Sequence, residues 1–520
     1  MPDTIQRVAI IGGGTAGWLT ACILAKQLQL NDTNNQKVQL TLVESSQIGS
    51  IGVGEGTWPT MRQTLHSIGI SETDLVTHCH ATFKQGSQFI NWRTSPTHPH
   101  SAKSDRYFHP FTAPIAYGTF DLNPYWNEKQ HGAYAEAVCH QQQLCAAGLA
   151  PKTMIDKEYT GFMNYGYHLD AVKLAELLQH HATKNLGVQY LDETVEHVLL
   201  NDAQHIERIH FQSGNNLAAD FYIDCTGFKS LLLGKTYGIP WRDCSDTLLA
   251  NSALAVQVPY ANDDTAIACQ TNSTAQTAGW IWDIGLSNRR GVGYVFSDQH
   301  LCQEQAHQQL AHYLNTHPDT IEPKFIQFNP GFREKFFHNN CVAIGLSAGF
   351  LEPLEASALM LIEISAKFIG EQLPHQKSLL PLVEKRFNHT FHYRWQRIID
   401  FLKLHYTLSK RSEAFWQDSR ASQSIPGSLS ELLSLWQERA PLDIDFESSF
   451  EVFPAASYQY ILYGMGHNSD FHRAASDKTS TEQAIRLFQA NQKAASQAAQ
   501  RAISHRELIN RIKQHGIPKI

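Results

Sequence analysis

Apolar residues in the first 45 positions fall into three blocks. Residues 8–11 (VAII) form an uninterrupted apolar run, residues 19–28 carry apolar positions at helical spacing, and residues 38–43 (VQLTLV) form a second strand-like run ending at Glu44. This order predicts a strand–helix–strand unit. Residues 167–182 return to helical spacing and are followed by the strand-like stretches 187–191 and 194–200. Residues 221–228 (FYIDCTGF) read as a buried strand running into a glycine turn, and residues 339–350 (NNCVAIGLSAGF) repeat that shape. Beyond about residue 375 the pattern becomes helical and amphipathic, over 379–404, 429–436 and 481–512. The tail from Gln483, rich in Ala, Gln and Arg, predicts a solvated surface helix, and polar residues 93–106 predict a surface loop. Together these elements predict an α/β chain with a discontinuous Rossmann-like module over residues 1–84, 161–234 and 326–375. An inserted module of residues 85–160 and 235–325 interrupts it and is completed by the mainly helical residues 376–520.

The loop between the first strand and helix carries Gly12-x-Gly14-x-x-Gly17. Gly12 permits a tight turn, Gly14 lets the backbone approach a pyrophosphate, and Gly17 allows helix and strand to pack closely. Thr15 and Ala16 open the helix, whose N–H groups and positive dipole end suit phosphates. Glu44, followed by Ser45, stands where an acid accepts from ribose hydroxyls, and no arginine nearby invites a 2′-phosphate. The fingerprint alone does not separate FAD from NAD. The two later glycine turns, Asp224-Cys225-Thr226-Gly227 and residues 344–350, resemble strand-end segments of flavoproteins with two dinucleotide folds and favour FAD. No second fingerprint follows a strand, so a built-in NAD(P)H site is not expected.

Composition narrows the class. A formal net charge of −7 argues against nucleic acid or an anionic membrane as partner, and 18% charged with 42% hydrophobic residues suits a globular enzyme. The first strand begins almost at once, no signal-peptide pattern precedes it, and no apolar run approaches 18 residues. Nine scattered cysteines without a CxxC read as reduced thiols. The expectation is a soluble cytoplasmic enzyme. Histidines at 78, 80, 98 and 100 lack Cys or carboxylate partners at ligand spacing, so no metal is expected.

GGGTAGW (12–18), GVGEGTWP (52–59), ATFKQGSQFINW (81–92), YFHPF (107–111), YGYHLDA (165–171), WIWDIGL (280–286), RRGVGYVFS (289–297) and GLSAGFLEPLEAS (345–357) stand in one order. In that order they resemble the flavin-dependent halogenases of the tryptophan-halogenase family over nearly the whole chain. Two departures bear on substrate and halide preference. The family's WxWxIP is here Trp280-Ile281-Trp282-Asp283-Ile284-Gly285, and its acid-Ser-Thr-Gly run is Glu355-Ala356-Ser357-Ala358.

The resemblance implies that Lys84 is catalytic, holding hypohalous acid or forming a haloamine. A lysine among Phe83, Phe89, Ile90 and Trp92 must otherwise meet a desolvation cost. It implies that Glu355 stabilises the arenium cation or takes its proton, that the amides of Ser357 and Ala358 bind halide, and that His109 and Phe111 sandwich the substrate ring. Val195, Leu346 and Leu359 join the cofactor residues on the same ground. Trp280 and Trp282 read as one face of a strand, as core or as a wall between flavin and substrate compartments.

Reduced FAD from a separate NAD(P)H-dependent flavin reductase, dioxygen, and chloride or bromide are the implied co-reactants, and a homodimer is compatible with the resemblance. The implied substrate is a small electron-rich aromatic. Residues 458–466 (YQYILYGMG) lie where the tryptophan enzymes grip the amino-acid backbone, yet His467-Asn468-Ser469-Asp470 follows in place of their acid and aromatic pair. Indole or a substituted indole is therefore expected ahead of free tryptophan. The alternative reading is a flavin-dependent aromatic hydroxylase of the same fold; a non-enzymatic flavin sensor would have no use for Lys84 and Glu355.

Overall fold

The VAII run forms the strand Arg7–Ile11, buried from Val8 onward. Its place at the centre of a sheet explains why it shows no polar alternation. In the computed structural model, which describes residues 3–30, 38–47, 49, 54–96, 105–448, 450–472 and 477–519, the chain divides into two units. The first comprises Met1–His80, Leu169–Cys244 and Asn329–Trp395; the second comprises Ala81–His168, Ser245–Phe328 and Gln396–Ile520.

Among the described residues, the first unit is built on a six-stranded sheet. Its order is Phe337–His338, Cys341–Ala343, Phe221–Asp224, Arg7–Ile11, Gln39–Glu44 and Gln189–Asp192, parallel except for the first pair. Helix Thr15–Gln27 follows the central strand and is buried from Gly17 to Ala25. Helix Ala171–Asn185 is capped by Asp170, which accepts from the amides of Val172 and Lys173. An antiparallel meander, Val195–Leu200, Ile206–Phe211 and Asn216–Leu217, closes over a core of Ala9, Ile11, Val43, Phe211 and Tyr222. This is the α/β dinucleotide-binding arrangement that the fingerprint predicts, with three strand C-termini (Ile11, Glu44, Asp224) at one edge of the sheet.

The second unit contains, among the described residues, a seven-stranded sheet. Its order is Lys324–Gln327, Ser252–Pro259, Arg289–Phe296, Gly279–Gly285, Thr271–Gln276, Gly86–Ile90 and Arg106–Pro110. Only the Thr271–Gln276 and Gly86–Ile90 pair is parallel. Trp280 and Trp282 do share a face: Trp282 lies flat on Gly293, where any Cβ would sit 2.0 Å from its ring. Trp280 is 6.1 Å from Trp92, in a buried aromatic cluster with Trp416 and Tyr406.

Two expectations change. The divisions place residues 81–84, 161–168 and 326–328 in the second unit and residues 235–244 and 376–395 in the first. The strand Thr82–Lys84 pairs with Gly166–His168 rather than with the parallel sheet, which moves Lys84 out of the nucleotide-binding module. The tail is not a merely solvated helix. Lys478–Arg501 buries Ala484, Phe488, Ala495 and Ala498, and Asn491 donates to the carbonyls of Glu136 and Ala137 at 2.9 Å. Its small buried residues have little hydropathy, so a packed face looked like solvent. Among the described residues no helix is long and apolar enough to cross a membrane.

Candidate active site

The glycine loop is set by close contacts that only glycine tolerates. Gly12 has φ +112°, and a Cβ there would lie 2.2 Å from the Cys225 carbonyl oxygen; a Cβ on Gly17 would lie 1.9 Å from the Gly12 oxygen. Gly14 differs, since a Cβ there would meet nothing within 4 Å, leaving open space before the helix. Gly14 also caps that helix without a side-chain hydrogen bond, so its first N–H groups have no capping side chain. Open space and free helix donors fit the pyrophosphate of a dinucleotide such as FAD. Ala16 is drawn in from the other end: a Cβ on Gly345 would stand 2.8 Å from its methyl. Thr15 donates to the Ala171 carbonyl at 3.2 Å.

Glu44 lies across Gly13, whose Cβ position is 2.1 Å from the Glu44 carboxyl carbon, and its Oε2 accepts from the Trp18 indole at 3.2 Å. Desolvation raises the Glu44 carboxyl above its usual range; the Trp18 hydrogen bond opposes this and Asp192 adds to it. Neither Gly13 nor Trp18 was legible as a site residue, because both act through Glu44. Glu44→Arg removes the acceptor, and with it about 1.5–3 kcal/mol of charged hydrogen bonding. FAD affinity should fall about tenfold or more by titration with the chain still folded; an unchanged Kd would remove Glu44 from the cofactor site.

Ser45 shares a 2.7 Å hydrogen bond with Thr194, and Val195 beside it packs on the meander core. The two later glycine turns meet. Ser347 Oγ donates to the Asp224 carbonyl, Ser230 Oγ donates to the Ser347 carbonyl at 3.1 Å, and Leu346 lies in the turn so fixed. The Asp224 carboxylate accepts from the amides of Thr226, Leu232 and Leu233 at 2.9–3.0 Å. Desolvation pushes Glu55, the acid of GVGEGTWP, up to about 7. Residues 52 and 53 of that motif lie outside the described residues, as do His98 and His100.

Glu355 and Ala356 hold consecutive left-handed backbones, φ +62° and +54°, although neither is glycine. Such conformations cost about 1–3 kcal/mol each and persist where the surroundings impose them. Here the Trp58 indole donates to the Glu355 carbonyl at 2.7 Å, and the Ala356 amide donates to the Pro353 carbonyl at 3.2 Å. The strained pair launches helix Ser357–Gln372, whose N-terminus carries no side-chain cap. Glu355 and Ser357 are buried, Ala358 is exposed, and Leu359 points into the core at 2% exposure.

Lys84, in the second unit, is 1% exposed, with its ammonium 5.3 Å from the centre of the Phe111 ring. Its neighbours in the chain are pinned. Thr82 Oγ donates to the Gly285 carbonyl at 2.5 Å, the Phe83 amide donates to His505 Nε2 at 2.9 Å, and the Gln85 amide donates to the Cys269 carbonyl at 2.7 Å. Gly86 brings the next strand against His109, and the Phe111 amide returns to the Gln85 carbonyl at 3.2 Å. The fold thus groups Lys84, His109 and Phe111. His109 shares a 3.0 Å hydrogen bond with Ser457 and stands 5.7 Å from the Phe401 ring. Glycine at 285, where the family signature has proline, is explained locally: a Cβ would lie 2.8 Å from Ile267 and 3.0 Å from the Tyr260 hydroxyl.

Two buried histidines flank the lysine strand; His168 lies within the motif YGYHLDA, and no sequence signal marked His505. His168, paired in register with Thr82, bonds Thr271 Oγ at 2.8 Å; burial holds it well below its usual range, helped by Lys84 and His505. Burial lowers His505 to about 4. A depressed folded-state value means that the unfolded chain takes up the proton first. His505 therefore contributes stability that is complete above pH 6.5 and is lost as pH falls towards 4, about 3 kcal/mol at most. The unfolding free energy of wild type relative to His505→Gln should drop by up to that amount between pH 7 and 4, read by urea titration. A pH-independent difference would mean that His505 is not held neutral. Elsewhere, the ligand atoms of Glu438, Asp470 and His472 lie within 4.8 Å of one another, but all three residues are exposed and we assign them no role.

Over residues 7–503 the sequence matches the family model described as tryptophan halogenase. It is 31% identical over 487 residues to tryptophan 6-halogenase SttH of Streptomyces toxytricini, with 89% of each chain covered. The structure is similar to that of a tryptophan halogenase from Shewanella frigidimarina NCIMB 400, with a TM-score of 0.95, 43% identity and 99% of both chains covered. It is also similar to BrvH, a flavin-dependent halogenase from Brevundimonas sp. BAL3, with a TM-score of 0.85, 30% identity, and 98% of this chain and 99% of that one covered.

Proposed function

The chain belongs to the tryptophan halogenase family, and we propose that it uses reduced FAD, dioxygen and a halide to halogenate an electron-rich aromatic, namely indole, a substituted indole or tryptophan. Family membership disfavours the hydroxylase alternative. A separate NAD(P)H-dependent reductase delivers the reduced flavin. Bound reduced FAD supplies the electrons with which dioxygen oxidises halide to hypohalous acid. Gly12, Gly14, Thr15, Ala16, Gly17, Glu44 and Ser45 would hold it, with Val195, Leu346 and Leu359 beside them.

The observation that carries the reading is Lys84, an ammonium removed from water beside an aromatic ring. In our reading Lys84 donates a hydrogen bond to the oxygen of hypohalous acid and fixes where its halogen points. The carbon–halogen bond forms as the oxygen–halogen bond breaks, the hydroxide released takes a proton from the Lys84 ammonium and leaves as water, and Glu355 accepts the proton lost by the arenium ion, which solvent returns to Lys84. His109 and Phe111 hold the ring. The N–H groups of Ser357 and Ala358, at an uncapped helix start, bind halide.

Indole or a substituted indole is the substrate we favour over free tryptophan. Helix Ala455–Gly464 is buried from Ala455 to Tyr463, and its polar groups bond to protein: the Tyr460 hydroxyl donates to the Thr112 carbonyl at 2.9 Å and Gln459 to the Pro441 carbonyl at 2.8 Å. Ser469 Oγ and His467 Nε2 are committed to the Trp436 carbonyl, at 2.6 and 3.1 Å.

The test is an assay of indole with a flavin reductase, FAD and equal chloride and bromide, read by mass spectrometry. Halogenated indole that requires halide is expected; an oxygenated product formed without halide would refute the reading. Brominated indole should exceed chlorinated. The methyl groups of Ala356 and Ala358 replace the family's hydroxyl and glycine hydrogen, and a less tightly gripped site favours the ion that dehydrates and oxidises more readily. Chloride preferred several-fold would overturn the halide argument alone.

A further inference from the structure

The strand Thr82–Lys84 has, among the described residues, one ladder partner, Gly166–His168. On its other edge the Phe83 N–H points into buried protein, where an unmatched amide would cost about 1–3 kcal/mol. Its partner comes from 422 residues away: His505 Nε2 accepts at 2.9 Å. An amide can only donate, so the imidazole must present a lone pair at Nε2 and carry its hydrogen on Nδ1, which faces the Ile267 carbonyl at 3.3 Å. The ring is 1% exposed and cannot swing away without opening a cavity.

His505 is itself held on several sides. Ser504 caps the helix His505–His515 by accepting from the Glu507 amide at 3.2 Å, and Leu508, Ile509 and Ile512 bury its inner face. The next residue, Arg506, donates to the carbonyls of Thr265 at 2.8 Å and Ser287 at 2.6 Å, with its guanidinium 4.7 Å from the Tyr260 ring. Thr265, Ile267, Gly285 and Ser287 belong to the loop and strand end that also receive the Thr82 hydroxyl. One rigid junction therefore grips the lysine strand through Thr82 and, by way of His505, through Phe83.

We infer that His505 is a positioning residue, fixing the Lys84 ammonium by holding the edge of the strand that carries it. The inference rests on the proposed role of Lys84. Lysine has a flexible four-carbon stem, so strand placement decides where its charge can reach, and displacement of about 1 Å at a reacting centre costs on the order of 10²-fold in rate. His505 touches no reactant; its effect passes through one backbone amide.

The experiment compares His505→Leu, His505→Gln and Lys84→Ala in the full chain with reductase, FAD, bromide and indole. It measures FAD affinity, brominated indole, and hypobromous acid captured by a soluble 1,3-diketone trap. In the leucine variant brominated indole should fall at least tenfold, while FAD affinity and trapped oxidant stay within twofold of wild type. The glutamine variant, whose Oε1 can accept from Phe83, should recover at least half of the product. Product in the leucine variant within twofold of wild type, with Lys84→Ala inactive, overturns the inference and leaves the lysine's role standing. Equal losses in the leucine and glutamine variants, or oxidant falling in step with product, also overturn it. If the leucine variant does not fold, a folded glutamine variant that binds FAD but gives less than a tenth of the product overturns it. Full product from Lys84→Ala refutes the underlying reading, and this inference with it.

Discussion

Lys84→Ala should lower halogenated product at least ~10³-fold, within the range for a lost proton-handling side chain. FAD affinity and the oxidation of reduced flavin by dioxygen should stay at wild-type values. The separation follows from the proposed roles: Lys84 meets oxidant and substrate, whereas the glycine loop and Glu44 hold the flavin. Lys84→Met serves as the companion variant, because it keeps most of the apolar stem and removes the charge. Both variants should fail alike if the ammonium matters, whereas recovery with methionine would assign the loss to packing against Phe111. Mass spectrometry of the product and flavin fluorescence titration together decide the matter.

Gly12→Ala should cripple the flavin site from within. Its φ of +112° is unfavourable for any side chain, and the new methyl would stand 2.2 Å from the Cys225 carbonyl oxygen, a backbone atom that cannot rotate aside. Backbone strain of about 1–3 kcal/mol and overpacking of a similar size add. FAD affinity should fall ~100-fold or more, with a lower Tm in the absence of flavin. Gly14→Ala is the informative contrast. Gly14 has φ −70° and open space at its Cβ position, so the apo protein should keep its Tm, and only FAD affinity should drop, because the methyl occupies room left for pyrophosphate. Equal apo stability losses in both variants would contradict this account of the loop.

What was legible in the sequence is what short-range pattern encodes. The apolar run 8–11, the three glycines and Glu44 lie within one βαβ unit, and backbone requirements there dictate residue type. The later turns at Asp224 and Gly345 could be read as turns, but not as neighbours. Their junction depends on Ser347 and Ser230, small polar residues with no periodicity to betray them. Lys84 stood out by chemistry, as a cation in an aromatic run, yet its module could not be read, because strand Thr82–Lys84 is short and its partner lies more than 80 residues on. Glu355 was marked by its motif, but the left-handed backbone of Glu355 and Ala356 was not, since that conformation is visible in sequence only when glycine or asparagine fills it. Gly285, seen as a departure from a family signature, is an accommodation to Tyr260 and Ile267, and only packing could reveal that.

The hydrogen bond from Phe83 to His505 also sets an order in time. A chain emerging at ~5–20 residues per second needs ~20–80 s to add the 422 residues separating donor from acceptor. The last strand of the nucleotide-binding sheet ends at Ala343, so that sheet has all its strands long before the lysine strand can gain its second partner. Loss of helix His505–His515 would take that acceptor away and leave the Phe83 amide without its partner.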